Sequence, residues 1–412
     1  MKYINTVILL FTFFLICWPF SINGYSSQAL GILFFLISTI INCKIYKPQN
    51  IYSSSTFLLK LIIFIAALNL SLGQGGYVFA LYLIKIPIII YITNFFIKLI
   101  SESGISKNDA IALIASSAGI HCLIIYLQIL FPEIQQLAID NSSEAIKNFF
   151  QDETGGHSLR YYGINGFLFA SDGVTFALFG IILKIIRISN NKNNYIFLAT
   201  EYSCIILAAL AARSALPLIF IYAILNSIYS GNWRNWLINI SVLVFPLLIF
   251  FWIALNNIEN SFFYWITEPF ISSFESGEIK SNSLDETIST YEINLSFIEL
   301  LTGVGYYSPS NEDYLFNSLQ PSDSGYIRSI YVYGLIGLSL FIYYILKENL
   351  KSSSNKRHTF LKSIIIIYML IFFFKSEFLY QNSFIVAMVL LNKIYEKQKN
   401  RVGGFKTEVQ HP

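Results

Sequence analysis

Apolar residues fall into long blocks separated by short polar stretches, at 4–20, 29–45, 56–72, 77–100, 109–131, 166–187, 195–213, 214–230, 235–256, 326–346, 361–375 and 378–395. Most approach the roughly 20 residues that a helix needs to cross a bilayer core. No strict alternation of apolar and polar positions runs through them, so the pattern predicts helices rather than strands. The blocks at 195–213 and 214–230 meet at Arg213-Ser214, with Pro217 just inside the second. Proline is tolerated in the first helical turn, so a tight helical hairpin is expected there. The expected architecture is an all-α polytopic membrane protein of about twelve transmembrane helices. It forms a single integral membrane domain over 1–412. The first block follows Lys2 and lacks a small-x-small cleavage site, so it reads as a retained helix rather than a signal peptide.

Composition sharpens this picture. The chain is 55% hydrophobic and only 12% charged, about half the charge of a soluble domain. A formal charge of +3 without any Lys/Arg-rich run argues against a nucleic-acid partner. The cysteines Cys17, Cys43, Cys122 and Cys204 lie within or at the ends of apolar blocks and form no CxxC pair. They read as packing residues, with neither a disulfide framework nor a zinc site supported.

The basic residues divide unevenly between alternate sides of the blocks. One side collects Lys2, Lys44, Lys47, Lys98, Lys107, Lys184, Arg187, Lys192, Arg234, Lys347, Lys351, Lys356, Arg357, Lys362, Lys393, Lys397, Lys399, Arg401 and Lys406. The other holds only Lys147, Arg160, Arg213, Lys280, Arg328 and Lys375. The positive-inside rule then places the first side, with both termini, in the cytoplasm.

Two loops stand out on the opposite face, a medium one at 132–165 and a long one at 257–325. The long loop holds eleven acidic residues against Lys280 alone. Loops of that length usually have a task of their own. There is no Walker motif, and Gly303-Val-Gly305 lacks a strand–turn–helix setting, so the work is expected at the outer face and without ATP.

Few basic residues are expected at that face, which makes them informative. Arg160 ends the run His157-Ser-Leu-Arg160-Tyr-Tyr-Gly163, and Arg213 sits at the outer turn between two blocks. Each is either an interfacial anchor or a phosphate ligand, since a guanidinium offers a planar fork of donors. Together they suit a lipid-linked diphosphate better than a neutral solute. Asp323 lies in Ser-Asp323-Ser324-Gly325-Tyr326-Ile-Arg328. It is either a general base for a sugar hydroxyl or the cap of the next helix. Gly334 and Gly337, three apart in that helix, would let a neighbouring helix or lipid chain approach.

Asp172 and Glu201, inside their blocks, need partners in hydrocarbon. Asp172 is placed to orient Arg160 or Arg213; Glu201 is read as structural, with Lys85 a poorly matched mate. His157 either helps bind a phosphate or is a solvated loop residue, and His121 is expected to be packed and hydrogen-bonded. No carboxylate–histidine cluster offers a metal site. Aromatic residues reach 17%. Tyr161, Tyr162, Tyr306, Tyr307, Tyr314 and Tyr326 stand beside the arginines and Asp323, and their ring faces suit stacking on sugars.

At these residues the sequence resembles the O-antigen polymerase (Wzy) group of bacterial envelope proteins, kin to the O-antigen ligases. Three pieces carry the resemblance: Arg160-Tyr-Tyr-Gly163 leading into a span, Arg213-Ser214 between spans, and Gly303-Val-Gly305 followed by Asp323-Ser324 and Gly334-x-x-Gly337. The ligases have histidine where this chain has Asp323, which favours the polymerase. The resemblance implies an inner-membrane glycosyltransferase with its active site and two loops facing the periplasm. It would join undecaprenyl-diphosphate-linked oligosaccharides, one as donor and one as acceptor. Asp323, Arg160 and Arg213 are then the catalytic candidates, with Arg328, Tyr161, Tyr162, Tyr326, His157 and Asp172 around the substrate. No metal or other cofactor is implied, because the diphosphate is already an activated leaving group. Membrane lipid is a partner, and a separate chain-length regulator protein has a place in the scheme. A ligase, a flippase for the same lipid-linked unit and a secondary transporter remain the alternatives.

Overall fold

The computed structural model describes residues 2–18, 21–22, 25–41, 60, 64, 77–102, 104–141, 169–190, 194–211, 215–230, 234, 237, 241, 248, 252, 255–256, 271, 295–304, 324–349, 356–374 and 382–404. They are helical apart from short connections and one antiparallel hairpin of two residues a side. The blocks 56–72 and 235–256 lie largely outside the described residues. Each of the other predicted blocks holds a described helix. Among the described residues, two stretches are long and apolar enough to cross a membrane, Lys107–Leu130 and Gly325–Lys347. The chain divides into two compact units, residues 1–46 with 96–281 and residues 47–95 with 282–412.

In the first unit, α1 (Lys2–Cys17) turns through β1 (Ser21–Ile22) and β2 (Tyr25–Ser26) into α2 (Ser27–Ile41), which packs back on it. The hairpin pairs Ser21 with Ser26 and Ile22 with Tyr25, a four-residue departure from an all-helical reading. The helix α3 (Tyr77–Glu102) crosses the division between the units. Next come α4 (Lys107–Ser116) and α5 (Ala118–Leu130), interrupted only at Ser117. Ser106 starts α4 by accepting the Asp109 amide at 3.1 Å, which satisfies one of the donors a helix start leaves unpaired. The short α6 (Pro132–Asp140) follows, with proline in its first turn. The expected loop 132–165 therefore opens with a helix.

The core of this unit is α7 (Phe169–Asn190), which is buried on every side from Asp172 to Ile186. A helix that is apolar all round belongs inside. It is packed by α4, by α8 (Tyr195–Ala211) and by α9 (Leu216–Ser230). Pro217 lies in the first turn of α9, as the sequence pattern predicts.

The second unit holds α10 (Phe297–Thr302), α11 (Gly325–Asn349), α12 (Lys356–Phe372) and α13 (Asn382–Gly404). The helix α10 falls inside the stretch expected to be a loop. It is short, but it carries its own start signal: Ser296 accepts from the Glu299 amide while Glu299 accepts from the Ser296 amide. That reciprocal capping box fixes the first turn locally.

Candidate functional site

The long acidic loop is anchored at one described point. Past Thr302, Gly303 has a positive φ of 78° and packs against the backbone of α11. A Cβ on Gly303 would lie 2.5 Å from the Val332 carbonyl oxygen. Opposite it, Gly334 has φ 65° and ψ 179°, which breaks α11 in two. A Cβ on Gly334 would collide with the Leu301 backbone. Both positions thus need a left-handed backbone and the absence of a side chain, a combination only glycine supplies. The break frees a carbonyl, and the Val304 amide takes it up by donating to Tyr331 O at 2.7 Å. Gly334 therefore lets a neighbour approach, but as a helix break and not as one of a pair of face glycines. Opposed main chain cannot tolerate Cβ at either residue, and this outweighs helix continuity.

The start of α11 is held with equal definition. Ser324 is its cap: its carbonyl accepts the Arg328 amide at 3.0 Å, and its hydroxyl faces the Ile327 amide at a long 3.5 Å. The Gly325 amide donates to Phe373 O at 3.0 Å, beyond the end of α12, and the Phe373 ring fills the space a Gly325 Cβ would need. Tyr326 stacks edge-on against Phe373 with ring centroids 4.9 Å apart, and its hydroxyl donates to Leu370 O at 2.7 Å. Both the hydroxyl and the ring of Tyr326 are thus engaged by the end of α12. Arg328 sits half-buried one turn along.

Of the remaining predicted site residues, Asp172 lies in the first turn of α7, only 5% exposed. A carboxylate there is favoured by the positive end of the helix dipole. His157, Arg160, Tyr161, Tyr162, Arg213 and Asp323 lie outside the described residues, as do Tyr306, Tyr307 and Tyr314. His121 is fully buried, its ring 5.3 Å from Phe176 and 5.7 Å from Trp18.

A charged cluster appears where the sequence reading saw one structural carboxylate. Glu201 on α8 is 1% exposed and accepts Arg187 Nε at 2.9 Å and Nη2 at 2.8 Å, a two-pronged pair between α8 and α7. The Tyr222 hydroxyl, from α9, donates to the same carboxylate at 2.7 Å. Lys184 places its ammonium 3.8 Å from the centre of the Tyr222 ring. Arg187, not Lys85, is the partner of Glu201. The sequence signal was the spacing of Lys184 and Arg187, which puts both on one face of α7. The thiols of Cys122 and Cys204 also meet, at 3.7 Å, between α5 and α8.

Among the described residues, no group of three His, Cys, Asp or Glu is arranged to hold a metal ion. The one ionisable side chain of the long loop that is described, Glu299, is held below the usual carboxylate range by the Ser296 side chain and then by the Ser296 amide.

Compared with protein-family models, with curated proteins and with solved structures, the chain matches none.

Proposed function

We propose that the protein is an integral membrane glycosyltransferase that polymerises lipid-linked oligosaccharide repeat units into a surface polysaccharide. In this reading it crosses the inner membrane about twelve times, with both termini in the cytoplasm and the site facing the periplasm. The donor is a glycan on undecaprenyl diphosphate, and the acceptor is the sugar of a second lipid-linked unit.

The observation that best supports the site is the cap of α11. Ser324 holds the cap position, its carbonyl accepting the Arg328 amide and its hydroxyl facing the Ile327 amide, so capping, the ordinary reason for an aspartate at a helix start, is already supplied by its neighbour. Asp323 precedes that cap in sequence and so has another reason to be a carboxylate. A broken helix adds weight, because irregular backbone at membrane depth is tolerated only where protein buries it or a polar cavity adjoins it. The break at Gly334 and the end of α10 at Gly303 belong to the third of the sequence pieces on which the resemblance rests, and they meet.

The reaction is a single displacement. A hydroxyl of the acceptor sugar attacks the donor's anomeric carbon while Asp323 takes its proton. The bond to the diphosphate oxygen breaks, and Arg160 and Arg213 hold the negative charge that develops on the leaving group. Charge stabilisation of this kind is usually the largest catalytic contribution, about a hundredfold or more per donor group. Arg328, His157 and the rings of Tyr161 and Tyr162 line the sugar path, and Asp172 orients an arginine.

The test is a gel of surface lipopolysaccharide from a strain lacking only this gene. A single repeat on the core means that export and ligation proceed while extension fails, as expected of a polymerase. A bare core points to the ligase or flippase alternative. Alanine at Arg160, Arg213 or Asp323 should each abolish polymer at normal membrane levels of protein. Unchanged polymer in all three would reject the site.

A further inference from the structure

We infer that the cluster around Lys184 and Arg187 is a binding site for an anionic phosphate group, distinct from the outer site. It rests on the reading that these helices lie in a bilayer and on nothing about glycan chemistry. The argument is one of charge and donors. Glu201 has its oxygens engaged by Arg187 Nε, Arg187 Nη2 and the Tyr222 hydroxyl. Lys184 is 4% exposed, yet among the described residues no acceptor hydrogen-bonds its ammonium, which lies instead 3.8 Å from the centre of the Tyr222 ring. Two cations therefore share one carboxylate that already accepts three hydrogen bonds.

A cation–aromatic contact offsets part of the cost of burying an ammonium, but a buried charge still requires hydrogen-bonded compensation. The negative end of the helix dipole does not provide it. That effect fades within the last turn, which holds Arg187, whereas Lys184 lies about 9 Å from the helix end at 1.5 Å per residue. The exposed edge of the cluster is Arg187, at 23%. A phosphate reaching that edge would meet the guanidinium's remaining donors and the lysine ammonium together, a combination suited to phosphate oxygens. In the proposed orientation this end of α7 lies at the cytoplasmic face, where a phospholipid headgroup is at hand, and a free phosphate offers the same chemistry.

Full-length protein purified in a phosphate-free maltoside detergent gives the test, read as the thermal unfolding midpoint. Phosphatidylglycerol, inorganic phosphate and a phosphate-free galactolipid are titrated separately into wild type, Lys184→Met and Lys184→Arg. Phosphatidylglycerol should raise the wild-type midpoint, with apparent affinity about tenfold weaker in Lys184→Met and recovered in Lys184→Arg. The same pattern with inorganic phosphate would also support the site and identify free phosphate as its source. Equal responses of wild type and Lys184→Met to both phosphate ligands overturn the proposal. If Lys184→Met does not fold, native mass spectrometry of the wild type decides. Retention of phosphatidylglycerol over galactolipid supports the site, and equal retention overturns it. Loss of polymer in cells is a separate readout, so the polymerase reading and the phosphate site stand or fall independently.

Discussion

At Gly334 two demands coincide, a left-handed backbone and a neighbouring main chain where a side chain would go. Alanine there should cost about 3 kcal/mol or more, since strain of each kind is worth roughly 1–3 kcal/mol. Gly303→Ala should be similarly damaging, while alanine at exposed Gly104, with open space around its Cβ position, should cost about 1 kcal/mol. Denaturation midpoints of the three purified variants check the order. Glu201 gives the complementary case. Glu201→Met should lower stability by about 3 kcal/mol, because it leaves a largely buried guanidinium and ammonium unanswered. Adding Arg187→Met should restore much of the loss, since replacing both partners of a buried pair is often close to neutral. A double-mutant cycle that finds simple additivity would show that the pair is not coupled. Composition alone pointed to Glu201 needing a partner. Choosing between Lys85 and Arg187 required knowing how α7 and α8 dock, which is a long-range property that periodicity does not encode.

Helices were the most legible elements, for a physical reason. The apolar blocks announce the long elements, and Pro217 marks a start, lying in the first turn of α9. What escaped notice were short elements within polar stretches, where no apolar period exists to mark them. The helix α10 is such a case, yet Ser296 and Glu299 state it in four residues. Because the Glu299 carboxyl is held below its ordinary range by Ser296, the folded form binds its proton less readily than the unfolded chain does. The box therefore contributes fully above the unfolded glutamate pKa, and its contribution is lost as pH falls through the lowered folded value. Glu299 is exposed, so the energy involved is small. A carboxyl NMR titration should put Glu299 below an unstructured glutamate, and Ser296→Ala should return it to the ordinary range. The break in α11 was also illegible as a break. Gly334 and Gly337 look equivalent in sequence, and only the approach of Leu301 separates them.

Across the whole molecule, the argument from basic residues makes a claim about sidedness that can be checked without any assay of function. If the uneven distribution of Lys and Arg records orientation, single cysteines fall into two classes in intact cells, tested in a background where Cys17, Cys43, Cys122 and Cys204 are replaced by alanine or serine. Substitutions at Asn193, Asn355 and Lys397 should resist a membrane-impermeant maleimide until the membrane is permeabilised. Substitutions at Ser143, Ser281 and Ser318, within the two long outer loops, should react at once. One span more or fewer than expected between any two of these points would invert every assignment after it, so the pattern tests the helix count and the orientation together. The result also bears on chemistry. Arg160, Arg213 and Asp323 act on one substrate only if their segments share a side, because a diphosphate cannot bridge a hydrocarbon layer about 30 Å thick. Reactivity of Ser158→Cys and Ser322→Cys from the same face would meet that condition. Labelling from opposite faces would separate the arginine of the medium loop from the aspartate of the long one, and with them the proposed displacement. The phosphate site at Lys184 would survive that outcome, since α7, α8 and α9 assemble it within one unit.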